Sequence, residues 1–118
     1  MAVRTARTAW NGGLADGGGQ VELTSSGLAT FDVSFPKRAA ENADGTTSPE
    51  ELIAAAHSAC YAMQLSAMIA EAGGTPVALE VTGLDAEGFD RAAQLAKATC
   101  PVSKALTGTV ITLDAALD

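Results

Sequence analysis

The chain has few aromatic residues, few cations and little cysteine. Its 118 residues include one Trp, one Tyr and three Phe, so the 47% hydrophobic share comes mainly from Ala, Val and Leu. This composition predicts a close-packed, helix-rich core. Seven Lys and Arg face fourteen Asp and Glu, which gives a formal charge of −7. Because phosphate and anionic lipid surfaces are bound by clustered cations, nucleic acid and membranes are not expected as partners.

The sequence also shows no pattern typical of a signal peptide or a membrane span. Residues 1–9 carry Arg4 and Arg7 without the apolar stretch of a signal peptide, and no apolar run is expected to approach the length of a membrane span. These absences predict a soluble, cytoplasmic protein. In a reducing compartment, cysteines are more often free or redox-active than bridged, although a buried, inert cysteine is the common structural alternative. Cys60 and Cys100 are therefore the first candidates for function.

The first third of the chain has the pattern of strands followed by a loop. Alternating residues at 3–10, 20–25 and 31–35, separated by glycines, predict three antiparallel strands. Residues 36–47 are polar and lack periodicity, so they predict a loop, which carries Arg38.

A long helix is the strongest local prediction. Ser48 suits the N-cap, Pro49 the first helical position, and Glu51 completes a capping box, so a helix is expected to run to about Ala72 before Gly73. Apolar residues on several of its faces predict a central helix that is buried on more than one side.

The remaining expected elements complete an α+β domain. A strand is expected over 75–82, a second helix over 86–98 with Asp85 as its cap, a short helix over 101–106 and a final strand over 109–115. The inner face of the second helix is expected to consist of Phe89, Ala92, Ala93 and Ala96.

Three residues with ionisable or nucleophilic side chains share one face of the predicted long helix. Glu50, His57 and Cys60 fall within an arc of about 80° at 100° per residue. A zinc half-site from His57 and Cys60 lacks a second ligand pair, and a Cys-His nucleophile for acyl transfer lacks a visible oxyanion hole. A redox pair of Cys60 and Cys100 requires their Cα atoms to lie within about 7 Å, which sequence cannot show.

The residues alone do not decide which cysteine is the nucleophile. Cys100 begins a short helix, where N–H groups stabilise a thiolate. Cys60 lies about three turns inside its helix and needs a cation from elsewhere. Arg38 is the candidate cation, and Glu50 can hold its guanidinium through a bidentate pair.

Two segments resemble a known family. Residues 48–60 (SPEELIAAAHSAC) and 100–106 (CPVSKAL) resemble osmotically inducible protein C (OsmC) and the organic hydroperoxide resistance proteins (Ohr). Similarity at residues 10–12, 17–19 and 111–114 extends this over nearly the whole chain, and CPVS is closer to the OsmC branch. The resemblance implies a single α+β domain over 1–118 with the OsmC-like fold, in which antiparallel sheets pack around a long central helix in an intertwined homodimer.

The resemblance also implies an activity, that of a thiol peroxidase acting on organic hydroperoxides in oxidative or osmotic stress. It makes Cys60 the peroxidatic cysteine, Cys100 the resolving cysteine, Arg38 the activating cation and Glu50 its holder. Lys37 is the alternative cation.

The catalytic cycle implied by the family uses no metal or organic cofactor. A disulfide between Cys60 and Cys100 would be reset by a dithiol reductant, of lipoyl type more readily than glutathione. His57 belongs to the family motif and is interpreted as structural. The apolar residues expected to line a substrate pocket with the partner subunit are Leu52, Ala56, Tyr61 and Met63.

One departure from the family concerns residues 82–85. There the family has a further paired strand, whereas this chain passes directly to the cap of the next helix, so part of a hairpin is expected to be missing. The departure motivates an alternative function, a non-catalytic dimer of the OsmC fold that binds an apolar small molecule.

Overall fold

A computed structural model describes residues 2–77, 80–82 and 84–105. The chain divides into two compact units, Met1–Ile53 and Ala54–Asp118. The elements of the described residues are β1 (Arg7–Asn11), β2 (Gly18–Glu22), β3 (Thr30–Val33), α1 (Phe35–Ala39), α2 (Pro49–Glu71), β4 (Thr75–Val77), β5 (Glu80–Thr82), α3 (Ala86–Thr99) and α4 (Pro101–Ala105). The α+β class is confirmed.

The first unit contains an antiparallel sheet in the order β1-β2-β3, as the alternation predicted. Trp10 pairs with Gly19, and Val21 pairs with Phe31. The turn after β1 requires glycine, because Gly12 has φ +95° and an added Cβ there would lie 2.8 Å from the Gly17 Cα.

The segment after β3 differs from the prediction. Phe35 was expected to end a strand and residues 36–47 to form a loop, but α1 occupies Phe35–Ala39. The Ser34 hydroxyl accepts a hydrogen bond from the Lys37 N–H at 3.4 Å, and Pro36 lies in the first turn. An N-cap serine followed by an early proline is a helix start, and this local signal outweighs the alternation that runs up to Phe35.

Helix α2 begins and ends where predicted. The Glu51 N–H donates to the Ser48 hydroxyl at 3.2 Å, while the Glu51 carboxylate accepts from the Thr47 hydroxyl at 2.6 Å. At the other end, Gly73 has φ +88° and the Gly74 N–H donates to the Ile69 carbonyl at 2.9 Å. This left-handed glycine terminates the helix.

The burial of α2 is much smaller than predicted. Ile69 is its buried residue, whereas Ile53 and Met63 are 51% and 73% exposed. The helix has apolar residues on several faces, but the second unit packs on only part of this surface. An 18-residue window within its 23 residues has a mean hydropathy of 1.3, so the helix is also long and apolar enough to span a membrane by length and composition. That corrects the expectation that no segment approaches a span, although the core helix of a soluble protein passes the same test.

The strand expected over 75–82 is a short hairpin. Strands β4 and β5 pair antiparallel, with Thr75 opposite Thr82. Folding back gives the backbone N–H and C=O groups partners that a lone extended strand would lack. The strand expected over 109–115 lies outside the described residues.

Helix α3 supplies the core of the second unit. Asp85 caps it as predicted, accepting from the Gly88 N–H at 2.7 Å. The predicted inner face is confirmed, since Phe89, Ala92, Ala93 and Ala96 are all buried. The hydrophobic cluster consists of Ile69, Phe89, Ala92 and Ala93, with Leu65, Met68 and Leu84 packed against it. Small alanines on α3 therefore leave Phe89 as the one large side chain that this helix contributes to the cluster.

Truncating Phe89 is expected to destabilise this unit strongly. Phe89→Ala removes a 7% exposed ring from the cluster, so the free energy of unfolding should fall by about 3–5 kcal/mol. Urea denaturation followed by circular dichroism measures the loss. Leu95→Ala on the same helix is the control, because Leu95 is 49% exposed. Equal losses in the two variants would contradict this account of the core.

Candidate functional site

The two cysteines lie in contact. Cys60 projects from α2, and Cys100 lies between the end of α3 and Pro101, the first residue of α4. Their Sγ atoms are 3.3 Å apart and both thiols are free. Cys60 is half-buried and Cys100 is 0% exposed. A disulfide has an S–S distance of about 2.05 Å, so the two sulfurs touch without being bonded.

The surroundings of Cys100 favour its thiolate. Burial raises the pKa of the Cys100 thiol, but hydrogen bonds outweigh it and hold that pKa below its ordinary value. The bonds come from the Ser103 N–H, the Cys60 thiol, the Ser103 hydroxyl and the Val102 N–H. Cys100 thus caps the first turn of α4, as the sequence predicted, and the free N–H groups face its sulfur.

Three further hydrogen bonds join α2 to α3 and α4 around the thiols. His57 Nε2 lies 2.6 Å from Ser103 Oγ, the Tyr61 hydroxyl donates to the Ala93 carbonyl at 3.0 Å, and Gln64 Nε2 donates to Thr99 Oγ1 at 2.8 Å. Burial, together with the negative charge of Cys100, raises the pKa of Tyr61. Sequence reasoning did not find Ser103 as a site residue, although it stands in the CPVS segment.

The described residues contain no group of three or more His, Cys, Asp and Glu side chains arranged to hold a metal ion. The nearest polar partner of His57 is instead the Ser103 hydroxyl. The zinc half-site considered for His57 and Cys60 therefore gains no third ligand from this part of the chain.

Arg38 and Glu50 form an ion pair in the first unit. The Arg38 Nε donates to Glu50 Oε1 at 2.8 Å and Nη2 lies 2.6 Å from the same oxygen. The pair forms as expected, but it is not bidentate, because both guanidinium nitrogens contact the same carboxylate oxygen. Lys37, the alternative cation, pairs instead with Asp44 at 3.6 Å.

This ion pair responds to pH through Glu50. The hydrogen bond from Arg38 lowers the pKa of Glu50 below its ordinary value, and the same bond raises the pKa of Arg38. Because the pKa of Glu50 is lower in the folded chain, the stabilisation is present above the ordinary carboxyl range. It is lost as the pH falls through the lowered pKa. Both side chains are exposed, so the contribution to stability is small.

An apolar pocket of about 430 Å³ lies beside Arg38 in the first unit. It is lined by Thr8, Trp10, Leu14, Val21, Val33, Ser34, Phe35, Arg38, Pro49 and Leu52. Of the residues expected to line a substrate pocket, Leu52 does so here, while Ala56, Tyr61 and Met63 belong to the second unit. Sequence reasoning did not place Trp10 and Phe35 at a pocket; the only signal that the sequence offers is that they are two of its five aromatic residues.

The structure therefore brings together two pairs of the predicted site residues. Cys60 meets Cys100 in the second unit, and Arg38 meets Glu50 in the first. The action of the second pair on the first stays a prediction.

An antiparallel sheet, a long helix and two thiols in contact define an α+β protein with a two-cysteine thiol site. Two curated relatives, both named Peroxiredoxin OsmC, come from Escherichia coli (strain K12) and Shigella flexneri. Each is 38% identical over 131 residues, an alignment that covers 89% of this chain and 90% of the relative. No protein-family model matches the chain.

The chain belongs to the OsmC family of peroxiredoxins, which confirms the resemblance seen in the sequence. Membership supports a peroxidase function in general. The alignment of 131 positions is longer than the 118 residues of this chain, so it includes positions of the relatives that this chain lacks.

Proposed function

We propose that this protein is a thiol-dependent peroxidase that reduces organic hydroperoxides to alcohols in oxidative or osmotic stress defence. The observation that carries the proposal is the 3.3 Å contact between the Cys60 and Cys100 sulfurs. A pair of free thiols at this distance can close a disulfide after a small movement. Membership of a peroxiredoxin family supports the same chemistry.

The difference in burial supports the roles that we propose for the two thiols. Cys60 is half-buried, so a peroxide can reach its sulfur, whereas Cys100 has no exposed surface and contacts Cys60. Cys60 is therefore the peroxidatic cysteine and Cys100 the resolving one.

The reaction proceeds in two steps. The Cys60 thiolate attacks one peroxide oxygen, the O–O bond breaks, and the alkoxide takes a proton and leaves as the alcohol, so Cys60 becomes a sulfenic acid. The Cys100 thiolate then attacks the Cys60 sulfur. The S–S bond forms as the S–O bond breaks, and water is released. A dithiol, of lipoyl type in this proposal, restores the two thiols by exchange.

Arg38 and Glu50 are proposed to serve the first step. The guanidinium stabilises the Cys60 thiolate and the departing alkoxide, and the ion pair with Glu50 at 2.6 Å fixes its orientation. Arg38 also lines the apolar pocket with Trp10 and Phe35. Such a pocket suits the alkyl group of an organic hydroperoxide better than it suits hydrogen peroxide.

A homodimer in the cytoplasm is part of the proposal. Helix α2 keeps apolar side chains exposed, including Ile53 and Met63, and a second copy of the chain would remove such surface from water. Sedimentation equilibrium should give twice the mass of one chain.

Intact-mass measurement tests the proposed function. One equivalent of cumene hydroperoxide added to the reduced protein should lower its mass by two hydrogens, and peptide mapping should find Cys60 linked to Cys100. Hydrogen peroxide at the same concentration is the control for substrate class and should react more slowly. An unchanged mass would contradict the proposal and favour the non-catalytic dimer that binds an apolar molecule in the pocket beside Arg38.

A further inference from the structure

Two side-chain hydrogen bonds lie on either side of the thiol pair. His57 Nε2 is 2.6 Å from Ser103 Oγ, and Gln64 Nε2 donates to Thr99 Oγ1 at 2.8 Å. On α2, one of these residues precedes the half-buried cysteine and the other follows it. On the segment that joins α3 to α4 the order is reversed, so the 3.3 Å contact between the sulfurs lies between the two bonds.

Helical spacing places both partners from α2 on the same face as Cys60. His57, Cys60 and Gln64 are related by i, i+3 and i+7, so they lie one above another on the helix surface. All three are half-buried, whereas the intervening Ser58 and Ala59 are exposed. This is therefore the face that α2 presents to the residues around the second cysteine.

The apolar cluster of the second unit does not reach α4. On α2 the cluster uses Leu65, Met68 and Ile69, which all follow the thiol region in the chain. The buried residue of α4 is the polar Ser103, and Val102 is half-buried. Within α4, which the structure describes in full, the fully buried side chain is thus held by a hydrogen bond and not by apolar packing.

The surroundings of the two bonds suit a positioning role. Ser103 is 5% exposed, so its bond to His57 is shielded from competing water. The Thr99 hydroxyl donates its own hydrogen to the Leu95 carbonyl at 2.7 Å, which leaves its lone pairs for the Gln64 amide. The first bond is therefore protected, and the second has fixed donor and acceptor roles.

We propose that these two hydrogen bonds act as a clamp that holds Cys100 in contact with Cys60. The four residues of the clamp are positioning residues for disulfide formation, and they exchange no proton or electron with the thiols. Holding two reacting groups in contact raises their effective concentration. Without the clamp, α4 would separate from α2 part of the time, and the sulfurs would meet less often. The role of the clamp in catalysis rests on the proposed peroxidase function.

Equilibration with glutathione measures the clamp without any peroxide. One oxidised glutathione and the two protein thiols exchange to give the Cys60–Cys100 disulfide and two reduced glutathione molecules. Acid quenching, alkylation of free thiols and intact-mass spectrometry give the equilibrium ratio, and hence the effective concentration of one thiol at the other. His57→Leu and Gln64→Leu each remove one bond. Each should lower this concentration by about three- to tenfold, the usual net contribution of one hydrogen bond.

Combined substitutions test whether the bonds act as pairs. His57 and Gln64 are about 10 Å apart along α2, so the losses of His57→Leu and Gln64→Leu should multiply. Ser103→Ala removes the other partner of His57. Combining it with His57→Leu should therefore cost little more than either substitution alone.

Conservative and matched variants serve as controls. Ser58→Ala repeats the change of Ser103→Ala on α2, but the Ser58 hydroxyl donates to the Ala55 carbonyl of the same helix at 3.0 Å, so the effective concentration should not change. His57→Gln keeps a hydrogen-bonding amide near the position of Nε2, and it should stay within about twofold of the wild type. Thr99→Ser keeps the hydroxyl and should do the same.

The exchange equilibrium separates positioning from a general loss of stability. A merely structural role would destabilise the reduced and oxidised forms together and leave the equilibrium unchanged. Urea denaturation followed by circular dichroism verifies that each reduced variant is folded. In the catalytic cycle, His57→Leu and Gln64→Leu should slow the step from sulfenic acid to disulfide by a similar three- to tenfold. Rapid-quench mass spectrometry after mixing with cumene hydroperoxide measures that step.

The outcomes distinguish the clamp from the function on which it rests. Unchanged exchange equilibria in His57→Leu and Gln64→Leu would overturn the clamp. Equal losses in Ser58→Ala and Ser103→Ala would also overturn it, as would a loss in His57→Gln as large as that in His57→Leu. A protein that shows the expected exchange equilibria but does not react with cumene hydroperoxide would support the clamp and overturn the proposed peroxidase function.

Discussion

Replacing Cys60 by serine is expected to abolish peroxide reduction. Cys60 is the half-buried member of the thiol pair, and a serine hydroxyl at neutral pH is a far weaker nucleophile than a thiolate. Turnover of cumene hydroperoxide with a dithiol reductant should fall by on the order of 10⁴-fold or more, as is typical when a nucleophile is removed. The consumption of peroxide, followed by a colorimetric assay, gives the rate.

Cys100→Ser is the matched control for this prediction. It keeps Cys60 and should reduce one equivalent of peroxide before stopping, because the sulfenic acid then has no thiol within reach. The sulfenic acid should persist or oxidise further to the sulfinic acid. If the wild type and Cys60→Ser consumed peroxide at the same slow rate, Cys60 would not be the peroxidatic residue.

Replacing Arg38 by methionine is expected to have the second largest effect. Methionine keeps much of the side-chain volume but removes the cation that the proposal places on the thiolate and on the departing alkoxide. Sulfenic acid formation should slow by about 10²–10³-fold, the usual loss when one electrostatic stabiliser of a transition state is removed. Rapid-quench mass spectrometry with excess cumene hydroperoxide measures this step directly.

Lys37 provides the matched control for Arg38. It precedes Arg38 on α1 and pairs with Asp44 at 3.6 Å, not with Glu50. Lys37→Met changes the net charge by the same amount and should leave the rate within about twofold of the wild type. Glu50→Gln keeps Arg38 but weakens the bond that orients the guanidinium. Its loss of rate should therefore be smaller than that of Arg38→Met and larger than that of Lys37→Met. Equal losses in Arg38→Met and Lys37→Met would assign the effect to net charge.

Local sequence signals were sufficient to predict the ends of helices α2 and α3, because each end depends on one short segment of the chain. The N-caps at Ser48 and Asp85 and the glycine after α2 define helix ends through contacts within a few residues. Such contacts depend on the chain nearby, which is why the bounds of α2 and α3 were predictable. The buried face of α3 was predictable for the same reason, since helical periodicity sets which residues share a side.

Local signals failed where two interpretations of one segment compete. Residues 31–35 alternate like a strand, but the Ser34 cap and Pro36 start a helix. The composition of residues 75–82 fits one continuous strand as well as it fits two short strands. The structure has two short strands, β4 and β5, whose backbones hydrogen-bond to each other.

The sequence by itself determined the family, through two short segments that carry Cys60 and Cys100, and it named Arg38 and Glu50 as partners. The tertiary structure decided which groups touch. It set the two sulfurs 3.3 Å apart across a separation of 40 residues, and it placed the Ser103 hydroxyl 2.6 Å from His57 across 46. The physical reason is that helix capping and periodicity act over one or two turns. A contact between α2 and the start of α4 depends instead on how α3 packs through Phe89 and its alanines, and no short segment of sequence contains that information.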